Sequence, residues 1–300
     1  MTQPPTIGLV TVTYNSASVI KPFLACVSAQ TVQNHLLVVV DNASRDDSLA
    51  LVAAHGDART LVIANADNLG VAEGNNQGIE ACRARGIDWI LLINNDTEFS
   101  PTLLEGVLAS AAKLQARVIV PRVTYFDRPE QNWFAGGHFS WLRGFQARHE
   151  ESPAAGSERE APREIACAPT CCMLIHASIF DSVGLMDAAY FVYWDDTDFC
   201  WRLNRHHIPI MFEPAVSLAH KVSSLTGGAQ TPFSARHYNR NQVYFLRKHF
   251  PPLVVHANIL WIRLKNVARR ALQLDDAAIA DVRVKAIAEG LRMPLPPRAR

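Results

Sequence analysis

Long apolar runs are missing from this chain. No stretch of its 300 residues reaches the ~18 consecutive apolar positions that a membrane-spanning helix requires. Cysteine is sparse: the six, at positions 26, 82, 167, 171, 172 and 200, show neither paired zinc-type spacing nor the density of a disulfide scaffold. That pattern predicts reduced thiols in a cytoplasmic protein. An excess of either charge is lacking too, since 29 Lys and Arg against 28 Asp and Glu leave a net +1, with no bulk attraction to nucleic acid. Met1 to Thr6 is polar and proline-bearing, and the apolar run Ile7 to Val12 is too short for a signal peptide, so none is expected. No internal repeat recurs at a fixed period. What the chain does have is 49% hydrophobic residues, enough for a sizeable core.

From Ile7 to Val123, short β-branched runs (7–13, 36–40, 60–63, 89–93 and 117–120) alternate with segments of helical period. This alternation predicts βαβ units and a mainly parallel sheet. Ser44 with Asp46 and Asp47 is expected to open the second helix, and Ser100-Pro101 a later one. Residues 126–164, with Gly136-Gly137, Pro153, Gly156 and Pro162, break the rhythm and read as an irregular insertion or hairpin. Regular structure resumes at Ile165 to Ile175, with a short helix near Ala177 to Val183 and another from Asp195 to about His206. Strands are expected at Ile210 to Phe212 and Val216 to His220. A Gly227-Gly228 loop then leads to a helix from Ser234 to His249, which Pro251-Pro252 ends.

The most informative segment is Leu91-Leu92-Ile93-Asn94-Asn95-Asp96, a buried strand that stops at oxygen-bearing side chains on the edge where open α/β sheets bind ligands. One carboxylate and two amides suit Mg²⁺ or Mn²⁺ shared with a diphosphate; the other reading is a polar turn. Asp41-Asn42-Ala43-Ser44 ends another strand on the same edge, where Asp41 can accept a hydrogen bond from a base NH. Asn65 to Asn76 follows the third strand, and its glycines do not fit G-x-G-x-x-G, which counts against hydride transfer. Trp194-Asp195-Asp196-Thr197-Asp198 places three carboxylates at a helix start. One suffices for a cap, so a general base for an acceptor hydroxyl is the alternative. His220 ends an apolar strand and is either a hydrogen-bonded core residue or a second metal ligand beside Asp96.

Together these residues resemble the family 2 glycosyltransferases, from Ile7 to about Phe250. Val10-Thr11-Val12-Thr13-Tyr14-Asn15 is similar to the family's opening strand and loop, Val38 to Ser44 to its base-binding strand end, and Asn68-Leu69-Gly70 with Gly74-Asn75-Asn76 to its glycine-asparagine loop. Asn94-Asn95-Asp96 occupies the Asp-X-Asp position, with Asn94 in place of the first Asp. Asp195-Asp196 occupies the acidic pair whose second member is the usual base. The resemblance implies a GT-A type, Rossmann-like, mainly parallel α/β sheet flanked by helices. It implies a catalytic domain over 1–250, with a nucleotide-sugar-binding half at 1–123 and an acceptor half at 165–250, and a helical C-terminal extension at 251–300.

It further implies inverting transfer from a nucleotide sugar to a hydroxyl, with Thr13, Tyr14, Asn15, Asp41, Asn68, Gly70, Asn75, Asn94 and Asn95 around the donor. Asp96 and His220 would hold Mg²⁺ or Mn²⁺, Asp196 would act as base, and Asp195 would orient a hydroxyl. Trp194-Asp195-Asp196, His220-Lys221-Val222-Ser223-Ser224 and Tyr238-Asn239-Arg240-Asn241 resemble bacterial rhamnosyl- and galactofuranosyltransferases of cell-surface polysaccharide synthesis, and so imply a dTDP- or UDP-sugar donor and a glycan or lipid-linked acceptor. Cys171-Cys172 stands where small residues often line the acceptor side.

Two rivals are a nucleotidyltransferase and a non-catalytic sugar- or nucleotide-binding protein of the same fold. The first would carry a glycine-rich basic loop, and Val10 to Ser18 contains no glycine, lysine or arginine. The second is disfavoured by Asp96, Asp195, Asp196 and His220 standing together. From His256 to Arg300, nine Lys or Arg oppose four acids, and Leu260, Trp261, Leu264, Val267 and Ala268 fall at helical spacing. The extension is therefore expected either to touch the inner face of the cytoplasmic membrane or to pack on the catalytic domain or on a second subunit of a homo-oligomer.

Overall fold

A computed structural model describes residues 6–150, 161–222, 231–273 and 277–296. Pro153, Gly156, Ser223-Ser224, the Gly227-Gly228 loop, Asp275, Asp276, Arg298 and Arg300 lie outside the described residues. The chain divides into two compact units. The first holds most of the chain up to residue 225; the second comprises Phe139–Gln146, Val192–Trp194 and Thr226–Arg300.

The first unit begins β1 (Ile7–Thr13), α1 (Ile20–Ser28), β2 (His35–Asp41), α2 (Ser48–His55), β3 (Thr60–Ala64), α3 (Gly70–Arg83) and β4 (Trp89–Ile93). It continues through β5 (Thr97–Phe99), α4 (Leu103–Leu114), β6 (Val118–Tyr125) and β7 (Asn132–Phe134) to a hairpin, β8 (Gly137–Ser140) and β9 (Gln146–His149), whose tip groups with the second unit. Then come β10 (Arg163–Ile165), β11 (Cys172–His176), α5 (Ile179–Val183), α6 (Asp195–Arg205) and β12 (Ile210–His220). The main sheet runs β10-β12-β6-β11-β4-β1-β2-β3, with β5 on β12 and β7 on β6. Strands β3, β2, β1 and β4 are parallel, and β6 runs parallel to β12.

The parallel half forms because its strands are apolar almost throughout: β1 and β2 are buried on both faces, as parallel strands covered by helices must be. Helix α1 closes one face with Ile20, Phe23, Leu24 and Val27. Helix α3 can approach β1 only because Gly74 and Gly78 have no side chain; a Cβ at Gly78 would stand 2.2 Å from Val10.

The other half is mixed. β11 inserts antiparallel between β4 and β6, pairing Cys172 with Ile93 and so carrying Cys171 to the edge where β4 ends. The two strands expected at Ile210–Phe212 and Val216–His220 are one strand with a bulge between Glu213 and Ser217. Pro214 cannot donate to a ladder, so the chain kinks there and then resumes. Buried Glu213 secures the bulge, accepting from Ala215 N at 3.0 Å and from Ser110 Oγ at 3.0 Å. Two helices start later than expected. Helix α2 opens at Ser48, because Ser44 and Asp46 are engaged in the preceding loop, and α4 opens at Leu103, after a turn over Ser100-Pro101.

The second unit is helical: α7 (Pro232–His249), α8 (Pro252–Ala271) and α9 (Ala277–Arg292). Helix α7 starts with a capping box between Thr231 and Ser234 and with Pro232 in its first turn. Val243, Leu246, Val255, Ile259, Ile262 and Ile287 form its core, with Phe145 stacked on Phe250 at 4.0 Å. Gly290 lets α9 touch α7, where a Cβ would stand 2.4 Å from the Arg240 carbonyl. Among the described residues no helix is long and apolar enough to cross a membrane.

Candidate active site

The carboxyl ends of β1, β2 and β4 bring the first expected residues together. Asp41 is buried and already bonded: Thr13 Oγ1 donates to its Oδ1 at 2.8 Å, Ser44 Oγ to Oδ1 at 2.5 Å, and Ser44 N to Oδ2 at 2.9 Å. A carboxylate offers about four lone-pair sites, so one remains for a base NH. Asn15, in the left-handed region at φ 54°, accepts from Arg45 N at 2.8 Å, while Tyr14 beside it is exposed. The Asn68 carboxamide accepts from Gly70 N at 2.9 Å and turns the chain into α3. Gly70 sits at φ 84° with the Phe191 carbonyl 2.4 Å from where a Cβ would be, so only glycine fits. Asn75 is buried in α3 with its amide 3.6 Å from Met186 Sδ, and Asn76 exchanges two hydrogen bonds with the Met186 backbone. These amides tie α3 to the segment leading into α6.

The Asn94-Asn95-Asp96 turn joins β4 to β5. Asn94 is exposed, whereas Asn95 is buried and donates to Val12 O at 2.7 Å. Because β5 pairs antiparallel with β12, Thr97 stands opposite His220, and Asp96 O accepts from Lys221 N at 2.9 Å. His220 Nε2 then lies 3.1 Å from Asp96 Oδ1, with both side chains about nine-tenths buried. Trp133 packs edge-on between two imidazoles, 4.6 Å from His220 and 4.8 Å from His149. Burial, with Arg148 and His220 nearby, lowers His149 to about 4, so that ring is neutral at pH 7. Trp133 and His149 come from the stretch read as an irregular insertion, and nothing in their spacing marks them. Trp133 meets His220 because β7 pairs with β6, and His149 reaches Trp133 from the β8–β9 hairpin.

The third cluster opens α6. Phe191, Tyr193 and Trp194 all have φ between 62° and 71°, a left-handed run of bulky residues. Such residues cost of order 1–3 kcal/mol each and gather at functional sites. Within the second unit, Asn241 Nδ2 donates to the carbonyls of Val192 and Tyr193, each at 2.8 Å, and Trp194 packs on Tyr238 and Phe245. The next residues diverge in role. Asp198 is fully buried, accepts from Tyr190 Oη at 3.0 Å and from Arg202 Nε at 2.8 Å, and is structural. Arg202 also donates to the carbonyls of Val183 and Leu185. Arg202→Ala would strand a buried charge, and a loss of about 3–5 kcal/mol is expected from denaturant unfolding.

Asp196 Oδ1 accepts from Thr197 N at 2.6 Å. Its second oxygen receives no hydrogen bond from the described residues. Asp195 is buried more deeply. Burial raises both carboxyls above the usual range, and the charge of neighbouring Asp196 adds to the rise at Asp195. Cys171 lies within electrostatic reach of both Asp96 and Asp196. Burial pushes the thiols of Cys82, Cys167, Cys171, Cys172 and Cys200 upward, Cys167 to about 12, and all six cysteines are free of disulfides.

The family model for "Glycosyl transferase family 2" matches residues 9–184, more than half of the chain. The chain belongs to glycosyltransferase family 2. Two rhamnosyltransferases are similar to it along most of their length. The N-acetylglucosaminyl-diphospho-decaprenol L-rhamnosyltransferase of Mycobacterium tuberculosis is 25% identical over 80% of this chain and 84% of its own. The dTDP-rhamnosyl transferase RfbF of Shigella flexneri is 22% identical over 82% and 81%. Galactofuranosyltransferase GlfT1 of M. tuberculosis is 26% identical over 67% and 65%.

Among solved structures, GalNAc-T7 with UDP, GalNAc and Mn2+ superimposes with a TM-score of 0.65 at 13% identity, over 98% of this chain but only 59% of that one. The mannosyltransferase PcManGT from Pyrobaculum calidifontis, with GDP-Man and Mn2+, gives 0.56 at 13% identity over 97% and 88%. The fold of this family 2 glycosyltransferase is therefore GT-A.

A divalent cation fits the residues present. Among the described residues no three His, Cys, Asp or Glu form a cage, so the protein alone does not enclose an ion. Yet Asn95 Oδ1 is buried with no hydrogen-bond partner at this edge. Asp96 Oδ1 and His220 Nε2, 3.1 Å apart, would hold the ion together. A donor diphosphate would supply the remaining oxygens.

Proposed function

We propose that this enzyme is an inverting transferase that moves rhamnose or galactofuranose from a dTDP- or UDP-sugar to a hydroxyl of a glycan or lipid-linked saccharide acceptor. The observation that carries the reading is two unlike acidic sites in the first unit, both within electrostatic reach of Cys171: Asp96 with His220 at one, Asp196 with an open carboxylate oxygen at the other. Similarity to rhamnosyltransferases over four-fifths of the chain supports the sugar and the acceptor class.

In this reading, Asp41 accepts from the base with its remaining lone pair, and Thr13, Tyr14, Asn15, Asn68, Gly70, Asn75, Asn94 and Asn95 shape the donor side. Asp96 and His220 hold Mg²⁺ or Mn²⁺, which when bound neutralises the departing diphosphate. An unperturbed Asp, near ~3.9, cannot deprotonate a sugar alcohol outright, so Asp196 takes the acceptor proton as the new bond forms; its raised affinity for protons improves that match. Asp195, more deeply buried, orients a hydroxyl. The site works in the cytoplasm, where nucleotide sugars are made.

The test is a donor panel: the purified chain with UDP- and dTDP-sugars, with Mg²⁺, Mn²⁺ or EDTA, scored for nucleoside diphosphate release. Release confined to one donor and abolished by EDTA is expected; donor-independent or EDTA-insensitive release would overturn the reading.

The pH dependence has a definite sign. The base must be ionised, so kcat/KM falls as pH is lowered through a limb lying above the ordinary carboxylate range. Stability runs the other way. A carboxyl whose folded pKa is raised holds a proton that the unfolded chain has released, so stability is lost as pH rises above the ordinary value. Asp195→Asn removes that penalty. Its melting temperature relative to the parent is expected to increase from pH 5 to pH 8, and a pH-independent difference would refute the assignment.

A further inference from the structure

Helix α8 carries two apolar stripes, and its own core uses only one. Val255, Ile259 and Ile262 face α7 and α9. On the opposite side Leu253, Leu260, Leu264 and Val267 recur at helical spacing with Trp261 alongside, and all are exposed, Leu253 at 81% and Val267 at 67%. Helix α8 contains no Asp or Glu, while its exposed stripe is bordered by Arg263 and Arg270 on one flank and Lys265 on the other.

The hairpin tip extends this surface. Trp141 is 70% exposed and Leu142 63%. Their tip is fastened to the helices by Gln242, whose Nε2 donates to Arg143 O at 2.8 Å, and by Gly144, which lies against Gln242 and Asn258. Lys265 is exposed and has Arg283, Arg143 and Arg269 as electrostatic neighbours. Of the acids of α9, Glu289 pairs with Arg236 at 2.7 Å and Asp281 with the flanking Arg270 at 3.5 Å.

We propose that α8 and the Trp141-Leu142 tip lie in the surface of an anionic lipid bilayer. An exposed apolar stripe with a tryptophan at its margin and basic side chains on both flanks is the arrangement of a helix resting in the headgroup region, its cations on the phosphates. A second copy is a poorer occupant. A two-fold interface through α8 would set the basic flanks of one helix against those of the other, and α8 itself brings no Asp or Glu to offset them. The surface lies wholly in the helical unit, and the inference does not depend on which sugar is transferred.

The test is flotation of the full chain with vesicles of phosphatidylcholine alone or with phosphatidylglycerol, at low and high salt. Binding only to anionic vesicles, weakened by salt, is expected. Lys265→Glu and Arg263→Glu should each lower the partition constant roughly fivefold or more, and Leu260→Ser with Leu264→Ser should abolish it. These residues are exposed, and unchanged melting curves will show that the fold is kept. A parent chain that stays with the soluble fraction overturns the proposal. So does flotation insensitive to these substitutions, or a dimer by sedimentation that Leu260→Ser breaks while no vesicle binding is seen. Flotation reads membrane binding whether or not the donor panel finds a substrate.

Discussion

Asp196→Asn is expected to lower acceptor-dependent nucleoside diphosphate release by roughly 10²–10⁴-fold, the usual loss when a general base is removed. The amide keeps the volume and can still accept from Thr197 N, so α6 should start as before. Nucleotide affinity, read by calorimetry, should be unchanged, because Asp196 faces the acceptor hydroxyl in this mechanism. The acid limb of the pH profile should disappear from whatever activity remains. A variant that keeps more than a tenth of the parent rate would show that Asp196 is not the base. If Asp195→Asn then carried the larger loss, the roles of the pair would exchange.

Asp96→Ala should cost on the order of 10²–10³-fold in kcat, the scale seen when one electrostatic partner of developing charge is removed. It should also raise the concentration of Mn²⁺ needed for half-maximal rate. His220→Ala should act in the same direction on the metal requirement, because Asp96 and His220 converge to 3.1 Å. A rate that falls with no change in metal dependence would argue that the pair is only a buried hydrogen-bonded contact. Retained binding of nucleoside diphosphate in EDTA would separate a metal defect from a collapsed donor site.

Most of the parallel half was legible because its strands are buried on both faces and therefore apolar in long, unmistakable runs: β1 and β4 match the expected segments residue for residue. The edges were less legible. Ser44 and Asp46 look like helix caps in sequence, but their oxygens accept from Asn15 N and Ala17 N of the loop after β1, and these tertiary hydrogen bonds override a local capping preference. The three acids opening α6 could not be told apart by type. Burial separates them, since Asp198 meets Tyr190 and Arg202 while Asp196 keeps an oxygen open.

The sequence by itself determined the family and the mainly parallel half of the sheet, because each rests on local patterns: apolar runs, the oxygens that follow them and their order along the chain. Tertiary structure alone decided which of those side chains meet. The antiparallel pairing of β5 with β12 seats His220 on Asp96 across more than a hundred residues, and β11 between β4 and β6 brings Cys171 to the same edge. Pairing β7 with β6 puts Trp133 against that histidine, and the β8–β9 hairpin brings His149 to the other side of the indole. Such contacts depend on register and strand order, which are set by how whole faces pack and leave no mark in any single stretch of residues.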